Sequence, residues 1–371
     1  MTDLDGSRIG LVLGAGGMLG GAWLTGALHA IARETGWDPG SSDVIVGTSA
    51  GAMVGGLLAC GVPPWFMLAH STGEDFAGLR DARGEPASSA DRSAGAATYR
   101  LHRGAPPLGP GSWRLAISAL ARPYRHSPAA LMAGWLPLGL ISTEPLKDTV
   151  RRVCEEPWAP HPNYWAICTD YQTGKRVALG REGAPGAALP DAVAASCAIP
   201  GFFRAVDISG RRYVDGGLTS ASNLDVLLEE ELDLVIALNP MSSLHAGSGG
   251  ALGGRLASMV RQNAGRRLGS EAKRLRAEGT EVILLQPTVD DLEAMGSNLM
   301  NRSRRNLVIE TAVETMSDQL RKSPTGRRLR KLPPGLPQLV RRPRGSARSW
   351  PDFTALAEAR WEQAPSSAVA V

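Results

Sequence analysis

The chain has 371 residues, of which 43% are hydrophobic, enough to bury one large core or two average ones and too many for a disordered chain. Its formal charge of +4 is unevenly spread: ten Lys or Arg and no acid fall between Arg321 and Arg348, and removing those ten charges from +4 leaves −6. The basicity therefore belongs to a tail, and a basic nucleic-acid-binding body is excluded.

Met1 to Arg8 holds two Asp and no basic run ahead of its apolar stretch, which does not fit a secretory signal. The longest nearly apolar run, Ala129 to Ile141, is 13 residues long and contains Pro137. A helix crossing a bilayer needs roughly 20 apolar residues, so no transmembrane helix is expected. Cys60, Cys154, Cys168 and Cys197 form no C-x-x-C pair and read as buried, reduced thiols of a cytoplasmic protein.

In chain order, Ile9 to Leu13 reads as a strand apolar on both faces, as a central parallel strand is. It runs into Gly14-Ala15-Gly16-Gly17-Met18-Leu19-Gly20-Gly21. A helix follows, with Leu24, Ala27, Leu28 and Ile31 at i, i+3, i+4, i+7 and a stop at Gly36 and Pro39. Asp43 leads into the β-branched run Val44 to Val46, which breaks at Gly47-Thr48-Ser49-Ala50-Gly51. Small and apolar residues then continue at helical spacing to Gly61, with Pro63 as a stop signal. Strand, loop, helix, strand, turn, helix is a parallel βαβα unit.

From about Gly73 to Pro137 the pattern loosens into an insertion rich in Gly, Ala, Ser and Pro. Its apolar groups, Trp113, Ile117, Leu120, Met132 and Trp135, are suited to covering an apolar site, touching a lipid surface or packing as helical core. Ser142-Thr143-Glu144-Pro145 then offers an N-cap and a first-turn proline to a further helix. Tyr164 to Thr169 and Arg176 to Leu179 read as a hairpin, and Asp191 to Cys197 as a short helix. Strands follow over Phe202 to Ile208, Arg212 to Val214 and Leu232 to Leu238. A basic helix from about Arg255 to Glu278, a strand from Glu281 to Leu285 and a last helix from about Ser297 to Leu320 complete the body, expected over 1–320. Arg321 to Pro351 is basic and Pro-rich with few apolar anchors, so residues 321–371 are expected to be a disordered tail.

The G-x-S-x-G turn throws its serine out between a strand and a helix, and Gly47 and Gly51 flank it because a β-carbon there collides with the neighbouring backbone. Ser49 also starts a helix, where unpaired N–H groups favour developing negative charge. It is the candidate nucleophile, and a hydroxyl needs a base. Of six histidines, His245 in a Ser/Gly loop is the best placed to complete a Ser, Asp, His order, but only one strand precedes this turn, whereas an α/β-hydrolase places several there. The carboxylate alternative is Asp215, which ends a strand and is followed by Gly216 and Gly217. It serves if it lies within about 3 Å of Ser49 and is partly desolvated. Gly16 and Gly17, free of side chains at a helix start, can present N–H groups to an oxyanion. The competing dinucleotide fingerprint begins at Gly14-x-Gly16 but fails at Leu19.

Three elements thus stand in one order: LVLGAGGMLGGAW, GTSAG, and VDGG after Ala-Ser-Cys-Ala-Ile-Pro-Gly. The set resembles the patatin-like phospholipase family over roughly Ile9 to Pro240. The resemblance implies a three-layer α/β/α fold with a mainly parallel central sheet, no metal or cofactor, and hydrolysis of lipid acyl esters by a serine-aspartate dyad. It implies Ser49 as nucleophile, Asp215 as base, and Gly16 and Gly17 as oxyanion donors. The expected partner is a lipid or other acyl ester, with peripheral contact at anionic membrane and no specific nucleic acid. Two positions depart from the family loop: Ala15 replaces its first glycine and Leu19 its basic residue. Leu19 and the tail motivate an alternative, a weakened hydrolase scaffold that binds anionic lipid or nucleic acid through that tail.

Overall fold

The computed structural model describes residues 4, 6–72, 100–102, 109–121, 128–154, 156–243 and 252–333. His245, more than half of the expected insertion and the expected tail beyond Pro333 lie outside the described residues. In chain order the strands are β1 (Ile9–Leu13), β2 (Val44–Thr48), β3 (Tyr164–Asp170), β4 (Arg176–Leu179), β5 (Val206–Ile208), β6 (Arg211–Asp215), β7 (Leu234–Leu238) and β8 (Glu281–Leu285). The helices are α1 (Gly17–Thr35), α2 (Ala50–Ala59), α3 (Pro64–Thr72), α4 (Trp113–Ala121), α5 (Pro128–Ala133), α6 (Glu144–Arg151), α7 (Leu189–Ser196), α8 (Leu252–Ala277), α9 (Val289–Met295), α10 (Arg305–Lys322) and α11 (Pro324–Leu329).

Five of the strands form a parallel block in the spatial order β3-β2-β1-β7-β8. Successive side chains of a strand point to opposite faces, and here both faces are covered. Leu11, Leu13, Ile45, Tyr164 and Ile236 enter one core with α1, α2, α3, α7 and α10. Their neighbours Val12, Val46, Trp165 and Val235 enter a second with Leu268, Ala272 and Leu275 of α8. The result is a three-layer α/β/α fold. Gly26 of α1 lets α10 come close: a β-carbon there would stand 2.6 Å from the Ile309 carbonyl oxygen.

Three expectations are corrected. The strand expected over Phe202 to Ile208 begins only at Val206, because the Phe202 and Phe203 N–H groups turn back onto the Ile199 carbonyl. The last helix begins at Arg305, not near Ser297. Asn298 and Asn301 accept the N–H groups of Met300 and Ser303 with their side chains, holding 297–304 in turns. Finally, the basic segment is folded well past Arg321. Arg321 ends α10 as a bidentate partner of Glu34, with its Nη2 2.6 Å from Oε1. The α11 turn follows, Arg328 pairs with Glu281 at 2.7 Å, and Leu329 and Leu332 are buried. Among the described residues no helix is long and apolar enough to cross a membrane.

Candidate active site

Ser49 and Asp215 meet because of how β3 is paired. Ile167 pairs with both Thr48 and Ala178, and Cys168 with both Val177 and Asp215. A strand has two edges, so β4 takes one, and β2 and β6 share the other. Parallel β2 stops at Thr48 and antiparallel β6 stops at Asp215, opposite the consecutive residues Ile167 and Cys168. The two strands run head-on along one edge, and the turn that leaves β2 faces the carboxylate that ends β6. The Ser49 side chain is close enough to the Asp215 carboxylate to favour its ionised form.

Between β2 and α2 the chain turns in one residue, and Ser49 takes φ 55 and ψ −119, a left-handed conformation that a side chain rarely adopts. Its surroundings over-determine that geometry. The Ser49 N–H donates to Ser196 Oγ at 2.9 Å, Ser196 Oγ donates to the Ile167 carbonyl, and Cys197 Sγ donates to the Ser49 carbonyl at 3.1 Å. A β-carbon on Gly47 would lie 2.4 Å from Ala52 Cα, and one on Gly51 2.0 Å from the Leu13 carbonyl oxygen. Both flanking glycines are therefore required by backbone approach.

Asp215 is buried, and its carboxylate accepts the Gly217 N–H at 2.7 Å. Gly216 is pressed on β3, where a β-carbon would stand 2.3 Å from the Ile167 carbonyl oxygen. Burial raises the Asp215 pKa to about 6; the Ser49 hydroxyl and the Gly217 N–H oppose that rise without cancelling it. The carboxylate is thus ionised at neutral pH yet more basic than a solvated aspartate. Burial also pushes the Cys168 and Cys197 thiols well up, with Asp215 adding to both, so each stays a neutral thiol. Among the described residues no histidine partners Ser49 or Asp215. His29, on α1, is held to about 4 by burial and Arg33, and His161 bonds the Ser42 carbonyl at 2.7 Å.

The Gly-rich loop joins the same region. Ala15 N–H donates to the Ala221 carbonyl at 2.8 Å, a β-carbon on Gly217 would lie 3.6 Å from Ala15 Cβ, and one on Gly21 3.7 Å from Ala50 Cβ. Gly17 has φ +59, and among the described residues neither the Gly16 nor the Gly17 N–H donates to a protein acceptor. Leu19, at the position where the family loop carries a basic residue, is fully buried in the larger core, and its N–H donates to the Leu299 carbonyl at 2.9 Å. This position supplies packing, and its backbone anchors the 297–304 turns over the loop. A β-carbon on Gly17 would come 3.1 Å from Met300 Sδ.

Sequence reading missed several supports. Ser196 holds the Ser49 backbone, and Asn223, itself at φ 50, donates from Nδ2 to Thr48 Oγ1 at 3.1 Å and to the Ser220 carbonyl at 2.6 Å. Asn223 thereby ties the segment after Asp215 to the residue before Ser49. A Ser-Cys pair ending a short helix was the only signal for the first; an Asn in a Ser-rich turn was the signal for the second.

A family model described as patatin-like phospholipase matches residues 11–228, more than half of the chain. The crystal structure of VipD from Legionella pneumophila is similar over 84% of this chain and 67% of that one, with 15% sequence identity and a TM-score of 0.40. Comparison with curated proteins found no match.

Proposed function

The chain belongs to the patatin-like phospholipase family of lipid acyl hydrolases, and from that premise we propose that it cleaves carboxylic esters with Ser49 as nucleophile and Asp215 as general base. The observation that carries this reading is the head-on meeting of β2 and β6 on one edge of β3, which sets Ser49 beside a buried carboxylate whose basicity is raised. Asp215 takes the hydroxyl proton as Ser49 Oγ adds to the ester carbonyl. The charge that moves to the carbonyl oxygen is met by the N–H groups of Gly16 and Gly17, which have no other work within the described residues. Collapse breaks the ester C–O bond, and Asp215 returns its proton to the leaving alcohol. Water then attacks the acyl-Ser49 ester with Asp215 again as base, releasing the fatty acid and regenerating the hydroxyl.

A fluorophosphonate probe is expected to label Ser49, identified by mass analysis of the modified peptide, and not to label Ser49→Ala. Wild-type turnover by purified Ser49→Ala would overturn the reading.

The base also fixes a pH profile. Protonated Asp215 cannot accept, and burial raises its pKa to about 6. On a soluble chromogenic ester, kcat/KM is expected to level off above about pH 7 and to fall about tenfold per unit well below pH 6. A rate that stays flat down to the ordinary carboxylate range would remove Asp215 from the role.

A further inference from the structure

We propose that the outer face of α4, α5 and the turn after them is a docking surface for anionic phospholipid, seated beside the active site; this rests on the lipid-hydrolase reading above. Helix α4 is apolar on two sides. Its inner side sends Leu115 and Ala116 into the protein, while Trp113, Ile117 and Leu120, at i, i+4 and i+7, face outward. Ile117 is 59% exposed, Leu120 69%, and Met132 of α5 70%. Trp135 joins the two stripes through an edge-on contact with Trp113, ring centroids 6.3 Å apart. A helix that only packs on a core has a polar outer face, so an apolar outer stripe calls for a second apolar phase.

The inner contacts place this face. Leu115 and Ala133 share a small core with Tyr171 and Val214, and Leu218 packs against it. Val214 and Leu218 bracket Asp215-Gly216-Gly217. Tyr171 donates its hydroxyl to the Ala133 carbonyl at 2.8 Å, Gly111 N–H donates to the Leu136 carbonyl at 2.7 Å, and Arg204 N–H to the Ile141 carbonyl at 2.9 Å. The outer face is thus carried on a platform held directly to the strand that ends in the base.

Charge identifies what fits it. Across the described residues 100–102, 109–121 and 128–143 the sequence has two arginines and no Asp or Glu. Arg100 and Arg114, on the described part, are exposed. Apolar side chains with Trp at the boundary and cations without a carboxylate match an anionic headgroup layer over acyl chains. A membrane docked there would sit on the helices that pack against Val214 and Leu218, on either side of the base.

The test uses full-length Ser49→Ala, which leaves lipid intact, sedimented with vesicles of equal parts phosphatidylglycerol and phosphatidylcholine. Binding is expected to weaken with salt, to fall sharply on pure phosphatidylcholine, and to weaken at least ~10-fold in Ile117→Glu/Leu120→Glu. With Ser49 intact, that double variant should keep wild-type turnover of a soluble short-chain ester, which shows that it folds, and lose turnover of vesicle lipid. Vesicle binding unaffected by the double variant would overturn the proposal. So would a dimer of the wild type that the double variant dissolves while no vesicle binding is seen. Absence of soluble-ester turnover in wild type would instead count against the Ser49 chemistry, since vesicle binding is read without turnover.

Discussion

Asp215→Asn is expected to lower kcat/KM on a soluble ester by about 10³-fold or more while making the folded protein more stable at about pH 8. The two effects have one origin. A carboxylate that serves as base must be ionised, yet this one is buried, and burial raises its pKa from 3.8 to about 6. The folded state therefore holds the Asp215 proton more tightly than the unfolded chain does. For a raised carboxylate pKa, stability falls as pH rises from the unfolded value to the folded one. About two pKa units correspond to about 3 kcal/mol lost above pH 6.

Asparagine removes the charge and keeps an oxygen for the Gly217 N–H. The stability gain in the variant is expected to be no more than those 3 kcal/mol at about pH 8 and to vanish near pH 4, where wild-type Asp215 is protonated. Denaturant unfolding of both proteins at the two pH values reads this directly. A stability difference that does not change with pH would show that the carboxylate is not strained by burial, and wild-type turnover by the variant would show that it is not the base.

How far the site was legible in the sequence follows from which interactions are local. The run Val44 to Val46 followed by Gly-Thr-Ser-Ala-Gly specifies its own strand, turn and helix, and the observed elbow matches it. The parallel block was legible for the same reason, since each of its strands is a short apolar run bounded by turn residues. Helices α4 and α5 fell inside the expected insertion, and three more were missed. Pro63 read as a stop, but Pro64 opens α3, a position where its missing N–H is harmless. Thr288 and Asp291 form a full capping box at the start of α9, a pattern that was in the sequence and passed over. The α11 turn was hidden by basic and proline residues, and only burial of Leu329 and Leu332 by distant elements gives it a place. The approach of Ser49 to Asp215 was legible only through the family resemblance, not from the residues themselves. It depends on β2 and β6 sharing one edge of β3, and register between strands so far apart in sequence leaves no local trace.

The second large effect is expected from Gly51→Ala, one methyl group added two residues from the nucleophile. In a helix interior alanine is ordinarily the better residue, by roughly 0.5–1 kcal/mol. Gly269, inside α8 with nothing within 4 Å of its missing β-carbon, should show that gain. At Gly51 the same atom would stand 2.0 Å from the Leu13 carbonyl oxygen and 2.8 Å from that of Gly14. Both are backbone, so no side chain can rotate away, and α2 has to move off β1. Overpacking of that kind costs about 1–3 kcal/mol or more, which exceeds the propensity gain and reverses its sign. Movement of α2 carries Ser49 with it, because the Ser49 carbonyl accepts the Ala52 N–H at 2.8 Å and Ser49 opens the helix. A shift near 1 Å at the reacting hydroxyl is worth about 10² in rate. Gly51→Ala should therefore lose at least that in kcat/KM and unfold at lower denaturant, while Gly269→Ala unfolds at higher denaturant with unchanged turnover. Equal stability and turnover in Gly51→Ala and wild type would mean that β1 and α2 are not in close contact at the elbow, and the tight strand-to-helix turn that exposes Ser49 would have to be given up.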